Sequence, residues 1–514
     1  MHWSQLIADE LEARDRIHVI ETGTSISGIP HVGNASDVIR GDAVRKILSE
    51  RGFDASLIWV ADDSDPFRKT PRGMENLADQ LGKPVYDIPD PSGDCHANFV
   101  EHFAGPFLDD LREFGVEPVR YSGRELYLNG ELVPEIRLAF KRRDSIREIL
   151  NRFRDEPLAV DFIPWSPICG GCGRISTTTP KSIDGDTISY VCEGADVSGT
   201  AVSGCGHKGE SDITKGEGKL PWRVEWAARW ARFKVTCEPF GKEHATVGGS
   251  YDTSKIISKE VFGWEPPVPV VYEFFTLNGA KISSSAGNVI TLSDWLKIAE
   301  PEVLKYFMYK RLEKQRDIDL SRIPNLTDEY DEAERVFFGE QEGDDKTKKH
   351  YLLSQVSGES GRCQVPYTLC AVLAQVVPDS DLPTIKAKVD GMGYAGYDDE
   401  RLIRRVNLAG QWVSRHGPDY LTFDLTADTS ASYASLTDLQ KKTLAKIASE
   451  LSKKWTPESF HKRIYEISRE AGLKPPEAFK AIYLALIGKE KGPKAAAFIL
   501  SLDKDFVAER FRAE

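Results

Sequence analysis

Apolar positions in the first 61 residues repeat at helical spacing, then at strand spacing, and then in the same order again. The acidic, amphipathic segment 1–14 predicts a helix, and residues 16–21, with a β-branched apolar centre, predict a buried strand. Residues 35–50 carry apolar side chains at helical spacing, and residues 55–61 predict a second buried strand. A strand, a helix and a further strand in this order are typical of an open α/β sheet.

The pattern changes along the rest of the chain. Residues 124–133 predict a β-hairpin with its turn at Asn129-Gly130, and residues 268–277 predict another buried strand. From about residue 292 onward the apolar spacing is almost wholly helical, interrupted by a charged linker at 339–350. The chain is therefore expected to combine an α/β part with a helical C-terminal part.

A glycine-rich loop, residues 21–34, connects the first strand of the sheet to the helix that follows it. The backbone N–H groups of such a loop and the helix dipole can face an anion, and its glycines allow close approach of a nucleotide. His31 and Asn34 at the turn can donate hydrogen bonds to phosphate oxygens. Taken alone, the loop is equally compatible with an ordinary strand–turn–helix connection.

Two further polar stretches follow predicted strands. A carboxylate cluster at 62–65 follows the second strand, at the edge of the sheet where ligands of open α/β folds bind. The alternative for this cluster is a solvated acidic turn. In the loop 238–252, Gly248 and Gly249 can pass under a ribose or an adenine, while Asp252 can accept the ribose hydroxyls.

Cysteines and histidines form two candidate zinc sites. The first is a zinc-ribbon-like module at 165–210, in which a predicted hairpin separates a CxxC pair from later ligands; its residues are Cys169, Cys172, Cys192 and Cys205, with His207 as the alternative fourth ligand. Four protein ligands leave no open position, so this site is expected to support folding. In the second candidate site, three ligands lie in one predicted turn and the fourth in the helix that follows; the residues are Asp90, Cys95, His96 and His102. The alternative is a polar loop that enters a helix without binding metal.

Composition and charge narrow the class of protein. A length of 514 residues predicts three or four domains, and 40% hydrophobic with 29% charged residues is typical of a soluble protein. The chain shows neither a signal-peptide pattern nor an apolar run of the roughly 18–20 residues that span a bilayer, so we expect a cytoplasmic protein without membrane contact. Eight cysteines in that compartment favour metal binding or buried thiols over disulfides.

The net charge of −13 is unevenly distributed. Residues 441–514 contain 16 Lys/Arg against 10 Asp/Glu, a local excess of +6. Such a basic region can hold a nucleic acid despite the acidic whole, although a solvated helical surface is the alternative.

Two short motifs resemble the signatures of class I aminoacyl-tRNA synthetases. HVGN at 31–34 resembles HIGH, and KISSS at 281–285 resembles KMSKS. Longer stretches that cover essentially the whole chain are similar to archaeal-type class I lysyl-tRNA synthetases; they include ETGTSISGIPHVGN, ADDSDPFRK, WRVEWAARWA, EPFGKEHATVGGSYDTSK and HKRIYEISREAGLKPPEAFKAIYLALIGKEKGP. The sequence departs from the two motifs where Ser284 replaces the second lysine of KMSKS and Asn34 replaces the final histidine of HIGH.

The resemblance implies ATP-dependent attachment of lysine to tRNA(Lys) through a lysyl-adenylate, with release of AMP and pyrophosphate. It implies an α/β, Rossmann-type catalytic domain at 1–290, with an insertion at about 103–220, a stem-contact helical region and linker at 291–350, and an α-helical anticodon-binding domain at 351–514. The implied cofactors are ATP as substrate, Mg²⁺ and one or two structural Zn²⁺ ions, and the partner is tRNA(Lys). We expect a monomer.

The residues with expected roles fall into three groups. Catalytic roles are expected for His31, Asn34, Lys281 and Ser284. ATP contacts are expected for Pro30, His31, Gly33, Asn34, Gly248, Gly249, Asp252, Lys281, Ile282 and Ser283. Lysine contacts are expected for Gly23, Ser25, Asp62, Asp63, Trp222, Glu225, His244 and Tyr272.

Within the lysine-binding group, the substrate's ε-ammonium requires a carboxylate, and its four-carbon stem requires apolar walls. Glu225, Asp62 and Asp63 are alternatives for the carboxylate, and Trp222 and Tyr272 are the expected walls. Another class I synthetase, a nucleotidylyltransferase and a tRNA-binding zinc protein without catalysis are the alternatives to the whole interpretation.

Overall fold

The computed structural model describes residues 1–93, 95–282, 287–356 and 361–512. The chain folds into two compact units. The first comprises residues 1–293, 305–318 and 352–356, and the second comprises 294–304, 319–351 and the chain from 357 onward.

The first unit contains the strands of the described residues and several helices. Its strands are β1 (Ile17–Thr24), β2 (Asp54–Ala61), β3 (Val119–Ser122), β4 (Ser166–Pro167), β5 (Thr178–Asp184), β6 (Thr187–Cys192), β7 (Gly194–Val197), β8 (Thr200–Ser203), β9 (Lys208–Asp212), β10 (Gly218–Lys219), β11 (Val235–Gly241), β12 (Val268–Tyr272), β13 (Phe275–Leu277), β14 (Ala280–Lys281) and β15 (Arg316–Ile318). Its helices are α1 (Trp3–Glu12), α2 (Val32–Glu50), α3 (Phe99–Glu113), α4 (Gly123–Leu128), α5 (Val133–Lys141), α6 (Arg143–Asn151), α7 (Trp222–Phe233) and α8 (Ser250–Ile257).

A five-stranded parallel sheet in the order β12-β11-β1-β2-β3 forms the core of the first unit. The chain builds β1, β2 and β3 to one side and then returns past β1 to add β11 and β12 on the other. Read from the other edge this is the order 3-2-1-4-5 of a Rossmann fold, and it creates a switch point between β1 and β11. The predicted α/β, Rossmann-type fold is confirmed.

The predicted hairpin at 124–133 is wrong. Residues 123–128 form α4, and its first turn is capped by Ser122 Oγ, which accepts a hydrogen bond from the Glu125 backbone N–H at 3.1 Å. Ser122 and Glu125 form the S-x-x-E pattern that favours a helix start, and this local signal outweighs the alternation of RELYL. Gly130 (φ 68°) then turns the chain into α5.

Strands of the inserted region build three small antiparallel sheets, one of which consists of β4 and β10. β5, β6 and β9 form another in that order, which confirms the predicted hairpin between Cys172 and Cys192. β7 and β8 form a second hairpin between Cys192 and Cys205.

In the described part of the chain from residue 292 onward, the regular secondary structure is helical apart from β15. Its helices are α9 (Leu292–Leu296), α10 (Pro301–Tyr309), α11 (Ile323–Phe337), α12 (Asp345–Ser354), α13 (Tyr367–Val376), α14 (Leu382–Gly391), α15 (Asp399–His416), α16 (Ser430–Ala434), α17 (Asp438–Glu450), α18 (Pro457–Glu470), α19 (Pro475–Ile487), α20 (Ala495–Ser501) and α21 (Lys504–Arg512). The second half of the predicted linker at 339–350 therefore lies in a helix. None of the helices in the described ranges has the length and apolarity needed to cross a membrane.

The second unit has an apolar core formed by the inner faces of α17 to α21, with Leu444, Phe460, Ile464 and Phe498 fully buried. A separate ionic group orders the residues around α11 and α15. Arg405, which is fully buried, forms ion pairs with Asp331 at 2.7 Å and Glu300 at 2.9 Å.

Candidate active site

A cavity of about 490 Å³ opens at the carboxyl ends of the parallel strands in the first unit. Residues that follow or end β1, β2, β11 and β12 line it, so it lies at the switch point of the sheet, where ligands of such folds bind. Helix α7 closes one side with Trp222, Trp226 and Arg229.

His31 and Asn34 line the cavity and together form the N-terminal cap of α2. His31 Nδ1 accepts a hydrogen bond from the Gly33 N–H at 3.1 Å, and Asn34 Oδ1 accepts one from the His31 N–H at 3.0 Å. Burial lowers the pKa of His31 to about 4, so the ring is neutral at physiological pH. Because Nδ1 accepts, the single ring proton lies on Nε2, which is thereby a hydrogen-bond donor.

Lys281 and Ile282 line the same cavity as His31, Gly33 and Asn34. Lys281 lies on β14, which pairs with β13, and its backbone carbonyl accepts a hydrogen bond from Asn288 Nδ2 at 3.1 Å. The first residue of the HVGN motif and the lysine of KISSS, 250 positions apart in the sequence, therefore share one cavity. Ser283 and Ser284 lie outside the described residues.

Most of the expected lysine contacts surround this cavity. They are Gly23, Ser25, Asp62, Trp222, His244 and Tyr272. The indole rings of Trp222 and Trp226 are stacked with centroids 5.2 Å apart, and His244 meets Trp226 edge-on at 5.6 Å. These rings form an apolar wall along the cavity.

Six of the expected residues that the structure describes do not line the cavity; they are Pro30, Asp63, Glu225, Gly248, Gly249 and Asp252. Asp63 Oδ2 accepts a hydrogen bond from Ser122 Oγ at 2.6 Å, and its Oδ1 accepts one from the Arg124 N–H at 2.6 Å. Asp252 caps the Gly248 N–H at 3.0 Å and pairs with Lys255 at 2.7 Å.

Glu225 lies behind the cavity in a buried ionic network. Its carboxylate accepts a hydrogen bond from the Tyr127 hydroxyl at 2.8 Å and pairs with Lys219 at 2.9 Å. Arg229, 1% exposed, pairs with Glu21 at 2.9 Å and with Asp62 at 2.5 Å. The cations that a buried Glu225 requires are therefore residues of the chain itself, Lys219 and, at 3.7 Å, Arg229.

Glu238 was missed by sequence reasoning and has the most distinctive environment of the carboxylates that line the cavity. It is buried, and its two oxygens accept hydrogen bonds from the indole N–H groups of Trp226, at 2.8 Å, and Trp230. Among the described residues no cation lies within ion-pair distance of it. Burial raises its pKa well above the usual value. The regular tryptophan spacing on α7 was the available signal, because a stripe of indole N–H groups requires an acceptor.

Carboxylates outnumber cations around the cavity. Its lining contains five of the former, Asp37, Asp62, Asp65, Glu238 and Glu243, and three of the latter, Arg68, Arg229 and Lys281. Burial raises the pKa of Asp37 to about 7 and also raises that of Asp62. The surplus of carboxylates favours a cationic ligand, because a bound positive charge would lower these raised pKa values and stabilise the ionised carboxylates.

Comparisons with known proteins agree with this arrangement. Residues 1–357 match the family model described as "tRNA synthetases class I (K)", and residues 419–514 match one described as "Anticodon binding domain". A lysine--tRNA ligase of Methanosphaera stadtmanae is 39% identical over 100% of this chain and 99% of its own length. A lysine--tRNA ligase of Archaeoglobus fulgidus is 35% identical over 100% of both chains.

The chain belongs to the class I lysyl-tRNA synthetase family. The matched regions contain both motifs that line the cavity and most of the helices of the second unit. Class I membership rests on residues 1–357, and the similarity to lysine--tRNA ligases extends over the whole chain.

The first metal-ligand cluster of this lysyl-tRNA synthetase family member brings Cys169, Cys172, Cys192 and Cys205 together, with all four sulfurs within 4.8 Å of one another. The Sγ atoms of Cys169 and Cys205 are 3.5 Å apart, and those of Cys172 and Cys192 are 3.8 Å apart. Tetrahedral zinc with Zn–S bonds of about 2.3 Å requires sulfurs about 3.8 Å apart, so the cluster fits zinc. Cys205, and not the alternative His207, completes the group.

The second cluster contains Asp90, Cys95, His96 and His102, whose ligand atoms also lie within 4.8 Å of one another. His102 Nδ1 is 3.0 Å from Asp90 Oδ1 and 3.3 Å from Cys95 Sγ. A carboxylate, a thiolate and two imidazoles are ligand types that tetrahedral zinc accepts.

Proposed function

We propose that this chain attaches L-lysine to tRNA(Lys) in two steps that share the cavity of the first unit. In the first step the lysine carboxylate attacks the α-phosphorus of ATP, which forms lysyl-adenylate and releases pyrophosphate. In the second step a hydroxyl of the tRNA 3′-terminal ribose attacks the adenylate carbonyl and releases AMP. The observation that carries the proposal is that His31, Asn34 and Lys281 line one cavity together with carboxylates and indole rings.

Lysine selection follows from the surplus of carboxylates. We infer that the four-carbon stem lies along Trp222 and Trp226, and that the ε-ammonium is bound by Glu238 with Asp62 nearby. Glu238 is the better acceptor of the two because Asp62 already pairs with Arg229. The two indole donors hold the Glu238 carboxylate in place before the substrate arrives, which lowers the cost of binding.

We assign the acceleration of adenylate formation to hydrogen-bond donors and a cation that the fold holds in position. His31 Nε2–H and the Asn34 amide donate to phosphate oxygens, and Lys281 neutralises charge that develops on the leaving pyrophosphate. Mg²⁺ bound with ATP would supply further positive charge at the phosphates. Asn34 donates as a neutral group, and no covalent nucleophile is required. We keep Ser283 as a further ATP contact and Ser284 as a further catalytic residue, and we keep Gly248, Gly249 and Asp252 as proposed contacts of the sugar and base of ATP.

The helical residues from 351 onward are proposed to bind the tRNA anticodon, as the match of residues 419–514 to an anticodon-binding model supports. Each four-residue cluster is proposed to hold one structural Zn²⁺ ion, which would cross-link its loops; metal analysis of the purified chain tests this. We further propose a cytoplasmic monomer.

ATP–pyrophosphate exchange across the twenty amino acids tests the proposal. We expect lysine-dependent exchange at least about 100-fold above that with any other amino acid, because only lysine places an ammonium group against Glu238. Exchange that depends on another amino acid would assign the chain to a different specificity. Exchange without any amino acid would indicate a nucleotidylyltransferase, and no exchange at all would refute an activating enzyme.

A further inference from the structure

A buried arginine lies behind the wall of the catalytic cavity. Arg40, on α2, is 1% exposed and does not itself line the cavity. In the part of the chain that the structure describes, no carboxylate lies within ion-pair distance of its guanidinium group, and its Nε–H has no acceptor. Burial lowers its pKa to about 10, so the group is still charged at physiological pH. A buried charge is costly unless its surroundings compensate it, so the contacts of Arg40 indicate what the charge contributes.

Two aromatic rings of the cavity wall contact this guanidinium group. Its Cζ lies 4.0 Å from the centre of the Tyr272 ring and 5.3 Å from the centre of the Phe275 ring. Both rings line the cavity. A cation over the face of an aromatic ring is attracted by the electrons of the ring, and more strongly where water is excluded. Arg40 therefore supports two rings of the wall from behind.

The Tyr272 ring has a second attachment to α2. Its hydroxyl donates a hydrogen bond to Asp37 Oδ1. Asp37 precedes Arg40 by three positions, so the two side chains project from one face of the helix. The same helix has His31 and Asn34 as its N-terminal cap. The position of the Tyr272 ring is therefore set by the helix that begins with the HVGN motif, through the hydroxyl and through the ring face.

The Phe275 ring connects the same arginine to the lysine of the KISSS motif. Phe275 begins β13, and the next residue, Thr276, pairs with Lys281 across the β13–β14 hairpin. Arg40 Nη2 also donates a hydrogen bond to the Met308 carbonyl at 3.1 Å. One guanidinium group therefore joins the helix of the first motif to the strand that carries the lysine of the second.

A backbone hydrogen bond attaches the chain that follows the KISSS motif to the same helix. The Val32 N–H at the start of α2 donates to the Ile290 carbonyl at 3.0 Å. The chain that enters the motif and the chain that leaves it are thus both attached to α2. Because the Val32 contact is made by backbone atoms, the contact through Arg40 is the one that a side-chain substitution can remove.

We propose that Arg40 is a positioning residue for adenylate formation, which fixes the β13–β14 hairpin against α2 and thereby sets the distance between His31 and Lys281 in the cavity. The proposal rests on the proposed function, in which these two residues act on one ATP molecule. Misplacement of a catalytic group by about 1 Å can lower a rate about 100-fold. Arg40 acts through Lys281 and does not touch the substrate.

Lysine-dependent pyrophosphate exchange by Arg40→Met, which keeps much of the side-chain volume without the charge, tests the proposal. We expect kcat to fall about 10- to 100-fold, because Lys281 is no longer held in place. The lysine KM is expected to stay within about threefold, because Asp37 still holds the Tyr272 hydroxyl. An unchanged kcat in a folded Arg40→Met chain would refute the positioning role.

Arg45→Met is the matched control. Arg45 lies on the same helix, pairs with Asp42 at 2.6 Å and does not line the cavity. We expect its kcat to stay within about twofold of the unsubstituted chain. Phe275→Leu removes the ring contact and leaves Arg40 in place, so it tests the same attachment if Arg40→Met does not fold. Its kcat is expected to fall at least about threefold, and an unchanged kcat would count against the attachment.

A double-mutant cycle separates positioning of Lys281 from a general loss of structure. In a Lys281→Ala background, Arg40→Met is expected to lower kcat by less than about twofold further, since the group that it positions is already absent. A chain that is only destabilised would lose the same factor in both backgrounds. Additive effects of the two substitutions would therefore refute the proposal.

Backbone amide hydrogen exchange tests the attachment without a catalytic readout. In Arg40→Met, the peptide 273–282, which contains β13 and β14, is expected to exchange at least about fivefold faster than in the unsubstituted chain. Peptides of β1 and β2 in the same unit are expected to stay within about twofold. Faster amide exchange throughout the unit would indicate general destabilisation and refute a local attachment.

The two readouts also separate this inference from the proposed function. Faster amide exchange confined to 273–282, in a chain that shows no lysine-dependent pyrophosphate exchange, would refute the proposed function and retain the attachment of the hairpin by Arg40. Normal pyrophosphate exchange together with unchanged amide exchange in Arg40→Met would refute the attachment and retain the proposed function.

Discussion

The cavities of the two units differ in the chemistry of their walls. In the first unit, carboxylates and cations are packed behind and around the cavity, and donors such as His31 are held by backbone caps. In the second unit most of the walls are aromatic and aliphatic side chains, and the lining contains only one carboxylate, Glu458, and one ammonium group, Lys494. The first arrangement suits a reaction in which charge moves, because fixed dipoles stabilise charge without reorganising. The second suits recognition by stacking, which requires only flat apolar faces.

The largest expected effect comes from Lys281, the cation of the KISSS motif in the catalytic cavity. Lys281→Ala is expected to lower kcat for lysine-dependent exchange about 100- to 1,000-fold with a small change in the lysine KM, since the lost charge acts on the departing pyrophosphate. Lys259→Ala, in the same unit and outside the cavity, serves as the control. A kcat reduced less than about threefold would remove Lys281 from the mechanism.

The second-largest effect is expected for substitution of Glu238, which tests whether the first cavity binds its ligand by charge or only by apolar contact. Loss of a charge-assisted hydrogen bond costs about 1.5–3 kcal/mol, so Glu238→Gln is expected to raise the lysine KM about 10- to 100-fold. Discrimination against norleucine, which lacks the ammonium group, is expected to fall by a similar factor.

Asp63→Asn provides the matched control for Glu238, because Asp63 is also a buried carboxylate at this sheet edge but does not line the cavity. We expect its lysine KM to stay within about threefold. An altered KM in Asp63→Asn together with an unaltered KM in Glu238→Gln would reverse the assignment.

The smallest effect concerns the protonation of His31. Burial lowers its pKa to about 4 from a reference value of 6.5, so the unfolded chain binds this proton more tightly than the folded chain. Its contribution to stability is therefore complete above about pH 6.5 and is lost as the pH falls toward 4. In NMR spectra of histidine-labelled protein, the signal absent from His31→Gln should not shift between about pH 6 and 8. A midpoint near 6.5 would contradict a buried neutral ring.

Much of the molecule was predictable from local pattern. The strands at 16–21 and 55–61 follow from β-branched apolar runs, and the helix of the tryptophan stripe follows from its spacing. The two metal-ligand clusters were predictable because cysteines and histidines that are closely spaced in a sequence are typical of metal sites. The shared cavity of His31 and Lys281 was predictable from the resemblance of the two motifs to a known pair.

Other features depended on tertiary structure. The sequence by itself determined the sheet, the motif loops and the metal ligands, because these follow from chemistry that is local in the chain. Only the fold decided that Lys219 neutralises Glu225, that Glu238 faces the cavity, and that rings of separate helices surround a second one. The physical reason is that burial and charge pairing depend on residues far apart in sequence. The sequence around Glu225, next to the regularly spaced tryptophans, therefore does not show which cation the carboxylate pairs with; the packing of helices and strands decides it.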